Sequence, residues 1–496
     1  MKLEQLIAGL EVQESRGDLG VAVSSLAYDS RMASDGTLFF CVPGERSDGH
    51  DFAAQAVAAG AVALVVERLL ELDVAQVLVG DARAAMAPVA ARFWGDPTTE
   101  LRVVGVTGTN GKTTTAFLLR EILEAAGIRC GLLGTVKQVV GGIEEEVERT
   151  TPEAIDLQHS FRRMLDGGDG ACAMEVSSHA LALHRADAVH FELAVFTNLT
   201  QDHLDFHSDM EDYFRSKRRL FEIGSARRIV NVDDPYGRRL AEEFECLTFS
   251  AEGREANVIA RGIELDASGA RFEIVEGMGG ERISAAARSR PPVGVVRTHL
   301  PGEFNIANAL GAFAAATALG VPPDTAAAAL SEAAAPPGRM EPVEEGQAFA
   351  VLVDYAHTPD SVENVLRAAR QVTDGRVISV IGAGGDRDRE KRPKMGRAAS
   401  QLSDLAIVTS DNPRSEMPEA IVEEVLAGVG DGDAVAVEID RRRAIARALG
   451  EAQPGDTVVI AGKGHEQGQE FENGRKVPFD DREVAREELR KLAAAR

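Results

Sequence analysis

The chain has 496 residues, a formal charge of −25, and 44% hydrophobic against 27% charged residues. That length exceeds what one hydrophobic core supports, so roughly two to four domains are expected. No apolar run approaches the ~20 residues of a membrane helix, the opening MKLEQLIAGLEVQES lacks the basic and apolar blocks of a secretory signal, and the acid excess argues against nonspecific binding to nucleic acid. Cys41, Cys130, Cys172 and Cys246 stand far apart with no CxxC pair, which predicts reduced thiols in the cytoplasm rather than disulfides or a zinc site.

In chain order, residues 1–97 alternate short apolar runs with turns, as in TLFFCVPGE and AVALVVE, and GDPTTE reads as a linker. Residues 98–337 form a second region that closes at the boundary AAAPPGRMEP. From 338 to 496 the runs FAVLVDYA, RVISVIGAG, LAIVTSD and DTVVIAGKG alternate with helical patterns. Unbroken apolar strands between helices predict a parallel sheet covered on both faces, with ligands bound beyond the carboxyl ends of its strands. The stretch 382–395 carries five basic residues against three acidic ones, a basic island in an acidic chain.

The run LRVVGVTGTNGKTTTAFLLREILEAAG reads as a strand over 102–106, a Gly-rich loop, and a helix over 113–126 that stops at Gly127. Such a loop aims backbone N–H groups and a helix N-terminus at phosphate oxygens. Gly108, Thr109, Asn110, Gly111, Lys112, Thr113 and Thr114 are therefore the candidate ATP site. Lys112 would reach the β- and γ-phosphates and the Thr113 hydroxyl would ligate Mg²⁺. The spacing GxxxxGK[ST] is not met, because Val106 stands where its first glycine belongs. The fold class that follows is α/β in three domains: a smaller N-terminal α/β domain, a central P-loop ATPase-like parallel sheet, and a C-terminal Rossmann-like doubly wound domain.

TGTNGKTT resembles the signature of the Mur ligase superfamily, and other stretches extend the resemblance along nearly the whole chain. They are YDSR at 28–31, MEVSSHAL at 174–181, FTNLTQDHLDFH at 196–207, DYAHTPD at 354–360, GGDRDREKRP at 384–393, DNPR at 411–414 and GKGHE at 462–466. The resemblance implies a cytoplasmic, ATP- and Mg²⁺-dependent ligase of peptidoglycan precursor synthesis. It would join an amino acid to a carboxylate of a UDP-linked muramoyl peptide through an acyl phosphate. The branch matched best takes UDP-N-acetylmuramoyl-dipeptide and meso-diaminopimelate; no nucleic acid and no membrane insertion are implied, and a monomer is expected.

Matched position by position, the family implies Glu175, His203 and Lys217 beside Lys112 as catalytic residues. Thr113, Glu175, His203 and a carbamylated Lys217 are the implied metal ligands. Glu175 suits a hard cation that prefers oxygen. His203 and His207 mimic half of a zinc-protease motif, but no Glu follows His203 and the motif fails. Lys217 reads from its residues alone as one basic residue among several, and its neighbours Arg218 and Arg219 read as solvated. Asn305, Arg339 and Asp354 match nucleotide-binding positions, although Asn305 also reads as a helix cap.

Tyr28, Ser30, Glu45, Arg46 and Ser47 match UDP-contacting positions, with Glu45 and Arg46 departing from the His-Gln often found there. Thr150, Thr151, Ser177 and Arg185 match positions that hold the muramoyl peptide, while Leu183 replaces a frequent Gln. Arg387, Asp411, Asn412, Pro413, Arg414, Gly462 and Glu466 match the diaminopimelate site, with Arg387, Arg414 and Glu466 expected to converge from three strand ends. The distal carboxylate and ammonium of diaminopimelate would pair with Arg414 and Glu466. Lysine lacks that carboxylate, and leaving a buried Arg unpaired costs roughly 3–5 kcal/mol. A lysine-adding ligase is the nearest alternative. A folylpolyglutamate synthase would lack the YDSR region and DNPR, and a protein using ATP only as a switch would have no need of Glu175, His203 and Lys217 together.

Overall fold

The computed structural model describes residues 1–44, 47–145, 147, 149–224, 227–266, 269–277 and 291–495. They form two compact units, one made of Met1–Thr107, Ile128–Ala194 and Ser216–Arg227, the other of Gly108–Gly127, Val195–Arg215 and Arg228–Arg496.

The first unit opens with a five-stranded sheet in the order Val12–Arg16, Ala75–Val79, Ala61–Val66, Thr37–Phe40, Ser25–Ala27. Only the first pairing is antiparallel. The predicted runs TLFF and AVALVV are its central strands, and their side chains are buried with little alternation, as a sheet covered on both faces requires. The helix Ala82–Phe93, capped by the Asp81 carboxylate on the Ala84 N–H, closes one face. The same unit holds the parallel strands Arg102–Thr107, Ala171–Glu175 and Cys130–Leu133, with Glu175 in register with Val106 at the strand end.

In the second unit, the helix Lys112–Ala125 packs on the long apolar helix Glu303–Ala318. Parallel strands Arg227–Asn231, Cys246–Ser250 and Val258–Asp266 continue into two antiparallel ones, Gly269–Glu276 and Gly294–Thr298. The C-terminal six-stranded sheet runs Glu341–Pro342, Ala350–Asp354, Thr457–Ala461, Val377–Ile381, Leu405–Val408, Val435–Val437, with every pairing after the first parallel. Its four central strands are the four apolar runs read from the sequence. Helices Pro359–Gln371, Lys391–Leu402 and Pro418–Leu426 pack on one face and Arg441–Glu451 with Asp481–Ala495 on the other, which is the doubly wound arrangement. Short strands at the two edges, Glu341–Pro342 and Val435–Val437, carry too few apolar residues to be seen in the sequence. No described helix is long and apolar enough to cross a membrane.

Candidate active site

The phosphate loop forms as its residues dictate. Gly108 has φ +153°, and a Cβ there would stand 1.9 Å from the Thr197 hydroxyl, so only glycine fits. The helix begins at Lys112, one residue before the predicted start, and its N-cap Gly111 has no side chain to satisfy the first N–H groups. Lys112 Nζ lies 2.9 Å from the Gly108 carbonyl and 2.7 Å from that of Thr109. Thr109 Oγ1 donates to the Thr200 carbonyl at 3.1 Å, and the Asn110 N–H donates to Asn198 Oδ1 at 2.9 Å.

A cleft of about 540 Å³ opens beside this loop in the second unit. Asn110, Gly111, Thr114, Asn305, Arg339 and Asp354, all expected from the sequence to meet ATP, line it. Asn305 is no cap: it sits buried inside the helix, donating to the Pro301 carbonyl at 2.8 Å and accepting from Asn308 at 3.1 Å. Arg339 lies over the Tyr355 ring, 4.7 Å from its centroid, and donates to Thr113 Oγ1 at 3.0 Å. Asp354 accepts the Met340 N–H at 2.7 Å, and burial raises its carboxyl above the usual carboxylate range.

His203 adopts φ +55°, a left-handed conformation uncommon outside glycine, with its N–H on the Asp202 carboxylate at 2.9 Å. Its ring is about one-third exposed at 37%, whereas the His207 ring is buried and tilted against Tyr213. Asp202 also faces Lys391 at 3.5 Å. His203, Lys391 and the neighbouring His357 hold its carboxyl far below the usual range although burial acts the other way.

In the first unit, Glu175 accepts from the Thr135 N–H at 2.7 Å and the Thr135 hydroxyl at 3.1 Å. Thr135 in turn meets the Thr150 hydroxyl at 3.0 Å, and the Thr151 hydroxyl donates to the Glu175 carbonyl at 2.9 Å. Ser177 caps the helix Ser178–Ala182 through the Ala180 N–H, and Arg185 donates to the Thr151 carbonyl at 3.2 Å. Thr150, Thr151, Ser177 and Arg185 are thus one connected cluster with Glu175. Sequence reasoning missed its electrostatic core: Arg83, Arg149 and Arg185 all grip the buried carboxylate of Glu153, at 3.1, 2.8 and 2.9 Å. Three guanidiniums against one carboxylate make this a basic spot in an acidic protein.

Lys217 is almost fully buried on the helix Met210–Arg218. Arg218 and Arg219, expected in solvent, are instead half-buried and pair with Glu222 and Asp187. Tyr28 donates to Asp156 at 2.7 Å and Ser30 to Gln55 at 3.1 Å, while the Ser47 carbonyl accepts the Gly44 N–H at 2.9 Å. Glu45 and Arg46 lie outside the described residues.

At the carboxyl ends of the C-terminal strands, the loops bearing DNPR and GKGHE are tied together. Gly462 has φ +126°, and a Cβ there would stand 2.6 Å from Asp411 Oδ2. Asn412 donates to Glu466 Oε2 at 2.8 Å and accepts from Lys463 and from the Glu470 N–H. Gln469 clamps the same loop through Ser410 Oγ and the Asp411 carbonyl. Arg414, at φ +51° after the buried Pro413, donates to the Gly385 carbonyl at 2.8 Å and to Glu470 Oε2 at 2.9 Å. Arg387 is exposed and bonds the Asp386 carbonyl. A Cβ on Gly384 would stand 3.1 Å from Arg414 and 3.9 Å from Arg387, so those two share one loop cluster. The guanidinium of Arg414, however, rests on Glu470 and not on Glu466.

Models of the Mur ligase middle domain, of the Mur ligase glutamate ligase domain and of the Mur ligase family catalytic domain match residues 106–316, 338–464 and 22–94. A UDP-N-acetylmuramoyl-L-alanyl-D-glutamate–2,6-diaminopimelate ligase of Streptomyces coelicolor is 45% identical over 506 residues, covering 98% of this chain and 97% of that one. One of the same name from Alkaliphilus metalliredigens is 42% identical over 495 residues, covering 98% and 97%. A solved structure of a ligase with this name superposes with a TM-score of 0.69 at 30% identity, covering 99% of both chains. The chain belongs to the Mur ligase family. It is an ATP-dependent ligase that forms amide bonds, and its three-domain α/β architecture is that of the family.

In this Mur ligase, taken unit by unit, Thr113 Oγ1 accepts from Arg339 and Glu175 offers a carboxylate at a strand end, each an oxygen donor of the kind a hard divalent ion takes. Among the described residues no group of three or more His, Cys, Asp or Glu could hold a metal.

The ligase also carries a half-buried imidazole at the edge of that cleft. His357 Nδ1 donates to the Tyr355 carbonyl at 2.7 Å, and burial, aided by Lys391, pushes its pKa down to about 4. A group whose folded pKa is depressed binds its proton first in the unfolded chain. Stability is therefore unaffected above pH ~6.5 and falls as pH drops toward 4. Between pH ~6.5 and ~5 the loss from this group is about 2 kcal/mol. Denaturant unfolding at pH 7 and pH 5 checks it: His357→Asn should lose less stability than the parent over that step, and equal losses would refute the assignment.

Proposed function

We propose that this ligase joins meso-2,6-diaminopimelate to the γ-carboxylate of the D-glutamate in UDP-N-acetylmuramoyl-L-alanyl-D-glutamate. ATP would first phosphorylate that carboxylate, and the amine would then displace phosphate from the acyl phosphate. The observation that carries the reading is the loop cluster that ties Arg414 and Glu466 to one frame, offering a cation for a distal carboxylate and an anion for a distal ammonium. The near full-length likeness to relatives named for this reaction supports it.

In this reading Lys112 holds the β- and γ-phosphates, and Asn305, Arg339 and Asp354 hold the nucleoside side of the cleft. Tyr28, Ser30 and the 45–47 loop meet the UDP moiety, while Thr150, Thr151, Ser177 and Arg185 hold the peptide. Magnesium, carried by Thr113, Glu175, His203 and a carbamylated Lys217, would neutralise phosphate charge. Lys217 is almost fully buried, away from bulk solvent.

Arg414 sharpens the selectivity argument and reduces its size. Because Glu470 and the Gly385 carbonyl already satisfy part of the guanidinium, lysine in the site would not leave a bare buried charge. The discrimination expected is that of one charge-assisted hydrogen bond, about 1.5–3 kcal/mol, rather than the full cost of a broken buried pair. Rates of ADP formation with meso-diaminopimelate and with L-lysine, at matched concentrations, test this. A preference for diaminopimelate on the order of 10- to 100-fold is expected, and faster turnover with lysine would sink the substrate assignment.

A further inference from the structure

The buried charges beneath the C-terminal loops do not balance. Arg441 and Lys463 have no solvent exposure, and the carboxylates that face them are Asp481, Asp411 and Glu466. Arg414 and Glu470 pair with each other. Two cations against three carboxylates leave one negative charge, and Glu466, at 29% exposure, is the carboxylate open to a ligand.

Lys463 is the centre of this network. Its Nζ lies 2.8 Å from Asn412 Oδ1, 2.9 Å from Glu466 Oε2 and 3.4 Å from Asp411 Oδ1. Three acceptors are what a fully desolvated ammonium needs. Asn412 adds a second donor to Glu466 Oε2, whereas among the described residues Oε1 receives only the Tyr355 hydroxyl at 3.4 Å. One oxygen of Glu466 is therefore committed inside the protein and the other is left for a ligand. Without Lys463, Asp411 and Glu466 would lose their shared cation, and Asn412 would lose a donor that orients it.

We propose that Lys463 is a positioning residue for the incoming amino acid, its buried ammonium holding the Glu466 carboxylate and the 411–414 loop in the arrangement that receives a distal ammonium. This rests on the reading that the loop cluster is the amino-acid site. Lys463 touches neither ATP-binding nor peptide-binding positions, so its effect falls on one of the three substrates.

Steady-state kinetics of the full chain with Lys463→Met, Glu466→Gln and the double variant test it. Lys463→Met should raise KM for meso-diaminopimelate on the order of 10- to 100-fold, with KM for ATP and for the UDP-linked dipeptide within about 2-fold. The double variant should match Glu466→Gln within about 2-fold, because Lys463 acts through that carboxylate. It removes one charge of each sign, so this comparison still decides the matter if Lys463→Met alone does not fold. A uniform loss across all three substrates, an unchanged KM for the amino acid, or additive losses in the double variant would overturn the proposal. If Glu466→Gln leaves KM for the amino acid unchanged, the reading of the amino-acid site fails instead, and the proposal with it.

Discussion

Replacing Lys112 by methionine is expected to lower kcat by a factor on the order of 10² to 10³, the loss seen when one preorganised group facing developing charge is removed. In the structure the ammonium bridges the carbonyls of Gly108 and Thr109, held over the loop by its own backbone. It thus occupies the mouth of the loop, beside a helix N-terminus whose first N–H groups lack a side-chain cap. Phosphoryl transfer asks little covalent chemistry of the protein, so a cation at the transferred group supplies much of what the enzyme can contribute. ADP should still bind, since the loop backbone and the cleft residues Asn305, Arg339 and Asp354 remain. Pre-steady-state phosphate release together with ADP titration separates the two effects. A variant with near-normal kcat would show that Lys112 does not act on the transferred phosphoryl group.

Arg441→Met should destabilise the protein by about 3–5 kcal/mol, the cost of leaving one member of a buried ion pair alone. Arg441 and Asp481 are both fully buried and meet in a bidentate pair at 2.8 and 2.6 Å. The same guanidinium is closed to solvent: it donates to the carbonyls of Ala461 and Ser410, the residues immediately before GKGHE and DNPR. One side chain therefore fixes two strand ends and the start of both motif loops. Two results should separate pairing from packing. Arg441→Met should lower the unfolding midpoint sharply, and Arg441→Met with Asp481→Leu should recover part of the loss, because an apolar pair of similar volume pays no desolvation cost. Equal instability in the single and double variants would show that the backbone contacts, not the charge pair, dominate.

The parts of this enzyme written in short sequence neighbourhoods were legible. The phosphate loop depends on glycines and a lysine within one stretch, and the four central C-terminal strands are unbroken apolar runs. Side-chain partnerships across long separations were not. Arg83 and Glu153 are seventy residues apart, and nothing local marks either as a partner. Lys217 sits among Arg218 and Arg219 in a basic run, and only the fold shows that it alone of the three is buried. The Arg414–Glu470 pair was hidden for a similar reason, since Glu470 belongs to a short hairpin strand, Gly468–Glu470, with no motif of its own. Asn305 misled in the opposite direction: Asn before an apolar run suggests a cap, but Gly302 is the N-cap, the helix starts at Glu303, and Asn305 lies in its first turn.

The most direct test of the central claim is the identity of the product. Incubated with ATP, magnesium, UDP-N-acetylmuramoyl-L-alanyl-D-glutamate and meso-diaminopimelate, the protein should form ADP and a UDP-linked tripeptide in equal amounts. Mass spectrometry should place the new amide on the D-glutamate γ-carboxylate. ADP formation that does not depend on the amino acid, or a complete reaction mixture that yields no tripeptide, would contradict the account.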